Sequence, residues 1–267
     1  MSAWPTTTRG RVAALLVGLL VAVVAAAAFR QPPGPPGSGD RVVLYGDSLA
    51  VEAGPVFVEA VAAGSDAEVE VRAIPGIAIC DVLDRMRADA GGASPPAVAV
   101  LLFAGNNATP CVQGPDGPLR EGELAARYDA DARTAVELFA AHDVRVVIAG
   151  PPPAPGLPGQ ATELVDDGYE RLVTEWAGID IGQVRYAPAG ATVVGDDGAY
   201  ADRLPCRDGE GAAEGCEGGH ITVRSADRIH FCPVELDGLA CPVYSSGARR
   251  VGDEMARVAT QALDPSY

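Results

Sequence analysis

Residues 42–50 read VVLYGDSLA, a short apolar run, Val42–Tyr45, that passes through Gly46-Asp47-Ser48 into a stretch of helical spacing, Val51–Ala63. A strand that is apolar at every position, rather than at alternate ones, is buried on both faces, and such strands belong to parallel sheets covered by helices. Two more runs of this type follow, Ala97–Phe103 (AVAVLLF) and Val144–Ala149 (VRVVIA), with a more polar one at Glu68–Ala73. Helical periodicity fills Cys80–Ala90, Glu121–His142 and a stretch near Ala161–Gly178. Pro151–Gln160 reads as a Pro-Gly loop, a fifth strand falls within Gln183–Val194, and Ser245–Leu263 reads as the closing helix. This alternation predicts one α/β domain over residues 41–267, a three-layer α/β/α sandwich around a five-stranded parallel sheet. Residues 195–242, rich in Gly, Asp and Cys, read as an irregular, disulfide-bound segment.

Upstream of this body the sequence changes character. Val12–Phe29 is uninterrupted apolar sequence, with Arg9 and Arg11 before it and Arg30 after it. Eighteen residues reach the lower end of a membrane-spanning helix, about 17–25, and exceed the apolar core of a cleaved signal peptide, about 7–15. That length favours an uncleaved anchor over residues 1–30, while Ala26-Ala27-Ala28 suits cleavage by a signal peptidase. Arginines on the short N-terminal side place the body outside the cytoplasm in either case. The segment 31–40 (QPPGPPGSGD) is an extended Pro/Gly linker.

Charge narrows the classes of function. The 267 residues carry a formal net charge of −16, and all 20 basic residues are Arg. Residues 31–267 hold all 36 acidic residues against 17 Arg, with no basic run, which excludes a nucleic-acid or anionic-surface binder. The missing Lys also excludes Walker-A ATPase chemistry, Schiff-base aldolases and covalent pyridoxal-phosphate enzymes.

In open α/β sheets ligands sit at the carboxyl ends of the strands. Gly46-Asp47-Ser48 follows the first strand, Ile74-Pro75-Gly76 the second and Gly105-Asn106-Asn107 the third, while Asp227-Arg228-Ile229-His230 precedes the last helix. Taken singly, these segments are a helix cap, a turn glycine, a turn amide pair and a structural histidine. Together they make an acyl-transfer site. A serine hydroxyl needs an imidazole to take its proton, and the imidazole works best when a carboxylate fixes its tautomer. Ser48 is then the nucleophile, His230 the base and Asp227 its orienter. The backbone N–H groups of Ser48 and Gly76 and the amide of Asn107 supply an oxyanion hole. His142 lies at the amino end of the fourth strand, and His220 has no Asp three residues before it, so neither competes with His230.

On these blocks the sequence resembles the SGNH hydrolases, also called the GDSL esterase/lipase family. Ser48 stands in GDSL, Gly76 in IPG, Asn107 in GNN and His230 in DRIH, and the resemblance runs over residues 41–264. The third block departs from the usual GxND by carrying Ala108, and Ala50 separates the first from the GxSxG elbow of α/β-hydrolases. The resemblance implies a flavodoxin-like sandwich and hydrolysis or transfer of O-linked acyl groups, with no cofactor and no metal.

Cys80, Cys111, Cys206, Cys216, Cys232 and Cys241 all lie in the exported body, where disulfides are the expectation. Six cysteines admit fifteen pairings. Cys80 follows Gly76 by four residues and Cys111 follows Asn107 by four, so loops sharing one rim would be joined by Cys80–Cys111. Cys232–Cys241 then closes a loop beside His230, and Cys206–Cys216 is left as a local staple. The rival, a zinc site from Cys206, Cys216, His220, His230 and Cys232, lacks the usual close ligand spacing.

For substrate the resemblance suggests small O-acyl groups on cell-envelope glycans. The body would be held at the membrane by its N-terminal segment and could serve a membrane acyltransferase partner. Trp4 and Trp176 are the two tryptophans, which leaves no broad aromatic sugar platform, and no long apolar lid argues for a lipase. The alternatives are a catalytically silent binding module on the same fold, a lipid or small-ester lipase, and a flavodoxin-like cofactor binder. The last lacks a phosphate-cradling Gly-rich loop after the first strand.

Overall fold

The strand that opens the body, β1 (Arg41–Gly46), lies inside the sheet with a strand paired on either side, and its five residues from Val42 on are buried. In the computed structural model, which describes residues 40–155, 162–180, 182–234 and 241–264, β1 is followed by α1 (Ser48–Gly64) and β2 (Glu68–Ala73). A 3₁₀ turn at Ile79–Asp81 leads into α2 (Leu83–Ala90), then β3 (Val98–Leu102), α3 (Glu121–Ala140) and β4 (Arg145–Ala149). α4 (Thr162–Ala177), β5 (Val184–Ala187) and α5 (Ser246–Leu263) complete the main body. The expected anchor at 1–30 and the linker as far as residue 39 lie outside the described residues, and among the described ones no helix is long and apolar enough to cross a membrane.

All five strands are parallel, in the order β2-β1-β3-β4-β5. This is the flavodoxin-like order, whose direction reverses between β1 and β3 and opens a crevice at their carboxyl ends. Side chains alternate across the sheet. Val42, Leu44, Val98, Val100 and Val147 pack with Leu49 and Phe57 of α1 and Val251 and Met255 of α5. Val43, Tyr45, Ala99, Leu101 and Ile148 face the opposite layer, with Met86 of α2, Tyr128 and Phe139 of α3, and Tyr169 of α4. The polar character of β2 has a plain cause: it is an edge strand, and Glu70 pairs there with Arg41 at 3.1 Å and Arg72 at 2.7 Å.

Beyond β5 the regular alternation stops, as the composition of 195–242 implied. Two short antiparallel strands, β6 (Arg203–Pro205) and β7 (His220–Thr222), form a ribbon closed by Cys206–Cys216. Cys80–Cys111 and Cys232–Cys241 are the other two disulfides, the pairings the loop spacing pointed to. The sulfurs of the zinc rival are thereby engaged in disulfide bonds.

At Gly46 the chain runs close to both α1 and β3. A methyl group there would stand 2.3 Å from Ala50 Cβ and 2.4 Å from the Leu102 carbonyl oxygen. Overfilling a packed core costs about 1–3 kcal/mol, more when the obstacle is backbone. Gly46→Ala should therefore lower stability by at least about 2 kcal/mol in urea unfolding. An unchanged midpoint would contradict this packing.

Candidate active site

Ser48 is the first residue of α1, and the cap that starts the helix is the residue before it. Asp47 is fully buried; its Oδ1 accepts the Leu49 N–H at 3.0 Å. Its Oδ2 accepts the Ala104 N–H at 2.8 Å and the Asn106 side-chain amide at 2.9 Å. One carboxylate thus joins the β1–α1 corner to the loop after β3. Burial pushes the Asp47 carboxyl up to about 6, against the opposing pull of these N–H donors.

The base arrives from the far end of the chain. His230 Nε2 lies 2.8 Å from Ser48 Oγ, across 182 residues of sequence, and His230 Nδ1 lies 2.6 Å from Asp227 Oδ2. Asp227 also organises its own turn: Oδ1 accepts the Ile229 N–H at 2.8 Å, the His230 N–H at 3.0 Å and the Ser225 hydroxyl. Partial burial works against its charge, yet the His230 ring and these donors together hold the carboxyl well below its usual range. It stays ionised wherever the imidazole can act as a base. Arg228, between orienter and base, takes a left-handed φ of 65° and lies over the Tyr200 ring at 4.7 Å.

Gly76 sits after β2, where the Ile74 N–H bonds the Gly46 carbonyl at 3.0 Å and brings this loop beside the Asp47 corner. A φ of +76° is what calls for glycine here; crowding does not, since an added Cβ would meet nothing within 4 Å. The two adjacent amides make different contacts, and Asn107 keeps one Nδ2 hydrogen beyond its single bond. Asn107, the expected oxyanion donor, turns its Nδ2 to the Leu119 carbonyl at 3.0 Å, in the loop that precedes α3. Asn106 bridges the serine and glycine loops: its Nδ2 lies 2.9 Å from Asp47 and 3.2 Å from the Ile77 carbonyl, which uses both amide hydrogens. Tyr128 fixes the Asn106 backbone by donating its hydroxyl to that carbonyl at 2.9 Å. Counting the third block from Gly105 selects Asn107, whereas counting from the strand end, where Leu102 pairs with Gly46, leaves both amides open.

The remaining histidines stand apart from this arrangement. His142 follows α3 and packs against Gly91 at the end of α2, and His220 is exposed on β7. Trp176 on α4 packs partly buried against the core. Cys80–Cys111 joins the stretch after Gly76 to the stretch after Asn107. Two buried charges were not singled out from the sequence. Glu52 of α1 accepts the Phe231 and Cys232 N–H groups, and burial pushes its carboxyl up. Arg224 donates to the Ile229 carbonyl at 2.9 Å and the Pro153 carbonyl at 2.6 Å, and burial lowers its guanidinium to about 10. Both sat in stretches that read as an ordinary polar helix face and an irregular loop.

A serine, an imidazole and a carboxylate in hydrogen-bonded series, beside a helix N-terminus and a side-chain amide, define a site for nucleophilic acyl transfer. No family model and no curated protein sequence matches this chain. Solved structures do. A GDSL-like lipase from Bacteroides thetaiotaomicron is 18% identical with a TM-score of 0.51, covering 92% of this chain and 96% of its own. A protein assigned as an acylhydrolase from Bacteroides fragilis is 19% identical with a TM-score of 0.51, over 88% and 91%. A protein assigned to the G-D-S-L lipolytic family from Desulfitobacterium hafniense is 16% identical with a TM-score of 0.50, over 82% and 99%. The fold of this chain is the α/β/α fold of GDSL-type hydrolases, as the sequence resemblance implied.

Two outcomes check the geometry. Asn107→Ala should lower kcat by about 10²–10³, the usual cost of one oxyanion donor; an unchanged kcat would exclude Asn107 from the oxyanion hole. Asp47, protonated in the folded chain between about pH 4 and 6 but ionised when unfolded, makes stability fall as pH rises through that window. Relative to Asp47→Asn, the wild type should lose up to about 3 kcal/mol from pH 4 to 7 in denaturant titrations. A flat difference would show that the hydrogen bonds offset burial.

Proposed function

We propose that the chain is a serine esterase of the SGNH type, working outside the cytoplasm on small O-acyl groups of cell-envelope glycans. The observation that carries this reading is the unbroken series Ser48 Oγ, His230 Nε2, His230 Nδ1 and Asp227 Oδ2, at 2.8 Å and 2.6 Å. In the first half-reaction Ser48 Oγ bonds to the ester carbonyl carbon while its proton passes to His230 Nε2. The carbonyl oxygen becomes an oxyanion, held by the N–H groups of Ser48 and Gly76 and by the second amide hydrogen of Asn107, whose first is bonded to the Leu119 carbonyl. Collapse of this intermediate breaks the bond to the leaving alcohol, which departs with the proton from His230. Water then repeats the sequence on the acyl-enzyme, giving the free acid and restoring Ser48. A carbohydrate hydroxyl in place of water would make the same residues an O-acyltransferase, drawing acyl groups from a membrane acyltransferase partner.

The location rests on three disulfides, the chemistry of an oxidising compartment, and on the apolar segment Val12–Phe29. The esterase reading agrees with the acylhydrolase and lipase descriptions of the similar structures. A small acyl group is favoured because no long apolar lid is evident in the sequence.

A fluorophosphonate should label the wild type and leave Ser48→Ala unmodified. His230→Ala should lose nearly all hydrolysis of a short-chain aryl ester. Asp227→Asn should stay folded with kcat lower by about 10⁴. Labelling of Ser48→Ala, or an unlabelled wild type, would end the esterase reading and favour a silent binding module.

A further inference from the structure

Ser48 and Glu52 are four residues apart on α1, one turn of about 5.4 Å, and so lie on the same helix face. Ser48 meets the His230 ring, and Glu52 meets the backbone immediately beyond it. Glu52 Oε2 alone accepts both the Phe231 N–H, at 2.6 Å, and the Cys232 N–H, at 3.2 Å. The residue is only 6% exposed. We propose that Glu52 is the positioning residue of the base loop: its carboxylate fastens the backbone after His230 to the helix that carries Ser48, and this sets the Ser48–His230 distance. The inference rests on the esterase reading above.

The loop needs such a fastening. Residues 225–230 form a turn closed on itself by the Ser225 N–H to His230 carbonyl bond at 2.8 Å and by the bonds to Asp227. These bonds fix the shape of the turn and leave its place against α1 open. Asp227, Arg228 and their neighbours are exposed, so apolar packing does little to hold them. The residues on either side of the turn set its place. Phe231 is fully buried, its carbonyl accepts the Ser245 hydroxyl at 2.9 Å, and Arg224 draws in the Ile229 carbonyl. Of these contacts, the one made by Glu52 runs to the helix bearing the nucleophile. An apolar residue at 52 would strand two buried N–H groups, each costing about 1–3 kcal/mol. The charges facing Glu52 are Asp227 and His230 from the turn and Arg224 from the segment before it, while Arg249 of α5 is turned to Glu59.

A displacement of about 1 Å at a reacting group can cost about 10²-fold in rate. Glu52→Ala should accordingly lower kcat for a short-chain ester by about 10²-fold, with KM within about twofold. Glu52→Gln should restore most of kcat, because an amide oxygen has two acceptor sites and one oxygen makes both bonds. Amide hydrogen exchange supplies a readout independent of activity: Phe231 and Cys232 should be protected in the wild type and in Glu52→Gln, and should exchange rapidly in Glu52→Ala. If Glu52→Ala only lowers Tm and keeps the wild-type kcat per folded molecule, Glu52 is structural and the proposal is overturned. Should Glu52→Ala fail to fold, a Glu52→Gln enzyme with kcat as low as that of His230→Ala, or with unprotected Phe231 and Cys232 amides, overturns it equally. A wild type that resists fluorophosphonate would sink the esterase reading, and the exchange data would still decide whether Glu52 holds the loop.

Discussion

The buried carboxylate of Asp47 is the contact on which the site depends. A charge with no exposure is tolerated because it accepts N–H groups from Leu49, Ala104 and Asn106, which use both of its oxygens. Each donor belongs to a different part of the machinery. Leu49 starts the helix that presents Ser48, Ala104 closes the corner after β3, and Asn106 reaches on to the Ile77 carbonyl in the loop after Gly76. Gly46 makes the arrangement attainable, since a side chain there would hold α1 away from β3. The Asp in Gly-Asp-Ser is therefore a structural hub, with the reactive atom carried by its neighbour.

Around His230 the electrostatics are arranged for a transient cation. Asp227 touches its Nδ1, and the carboxylates of Asp47 and Glu52 both act on it through space. Arg224, buried against Phe231, offsets part of this through its attraction to Asp227 and Glu52. The opposite charge that appears during acyl transfer, on the oxyanion, meets no cationic side chain in the proposed mechanism and is received by N–H dipoles. Such a division suits a site that must hold both charges at once without pairing either too tightly in the resting state.

The sheet was legible because burial on both faces leaves an unmistakable pattern. Val42–Tyr45, Ala97–Phe103 and Val144–Ala149 each matched a strand to within a residue or two, while β2 read as polar because it lies at an edge. Ser48, Asp227 and His230, singled out because a serine needs an imidazole and the imidazole a carboxylate, come within hydrogen-bonding distance of one another in series. Two adjacent amides carry no signal of which one bonds Asp47; that depends on how the chain turns after Phe103, and it is Asn106 that does so. Glu52 left no trace, since a glutamate every few residues is normal on an amphipathic helix. Its role arises from a partner 179 residues away, and no local pattern encodes such a partner.

Where the sheet ends, the means of holding the chain together change. The ribbon of β6 and β7 is two short strands, which cannot stand alone in water. It is secured by Cys206–Cys216 and by Glu210, whose carboxylate is buried against Arg250 at 3.2 Å and bonds the hydroxyls of Ser246, at 2.5 Å, and Tyr244, at 3.1 Å. The base loop obeys the same rule, with Cys232–Cys241, Glu52 and Arg224 added to the one buried ring of Phe231. Apolar packing is forgiving of small shifts in position, whereas a disulfide or a buried charge with directed hydrogen bonds is not. The segment that must bring His230 to within hydrogen-bonding distance of Ser48 is thus built from the interactions that specify position most sharply.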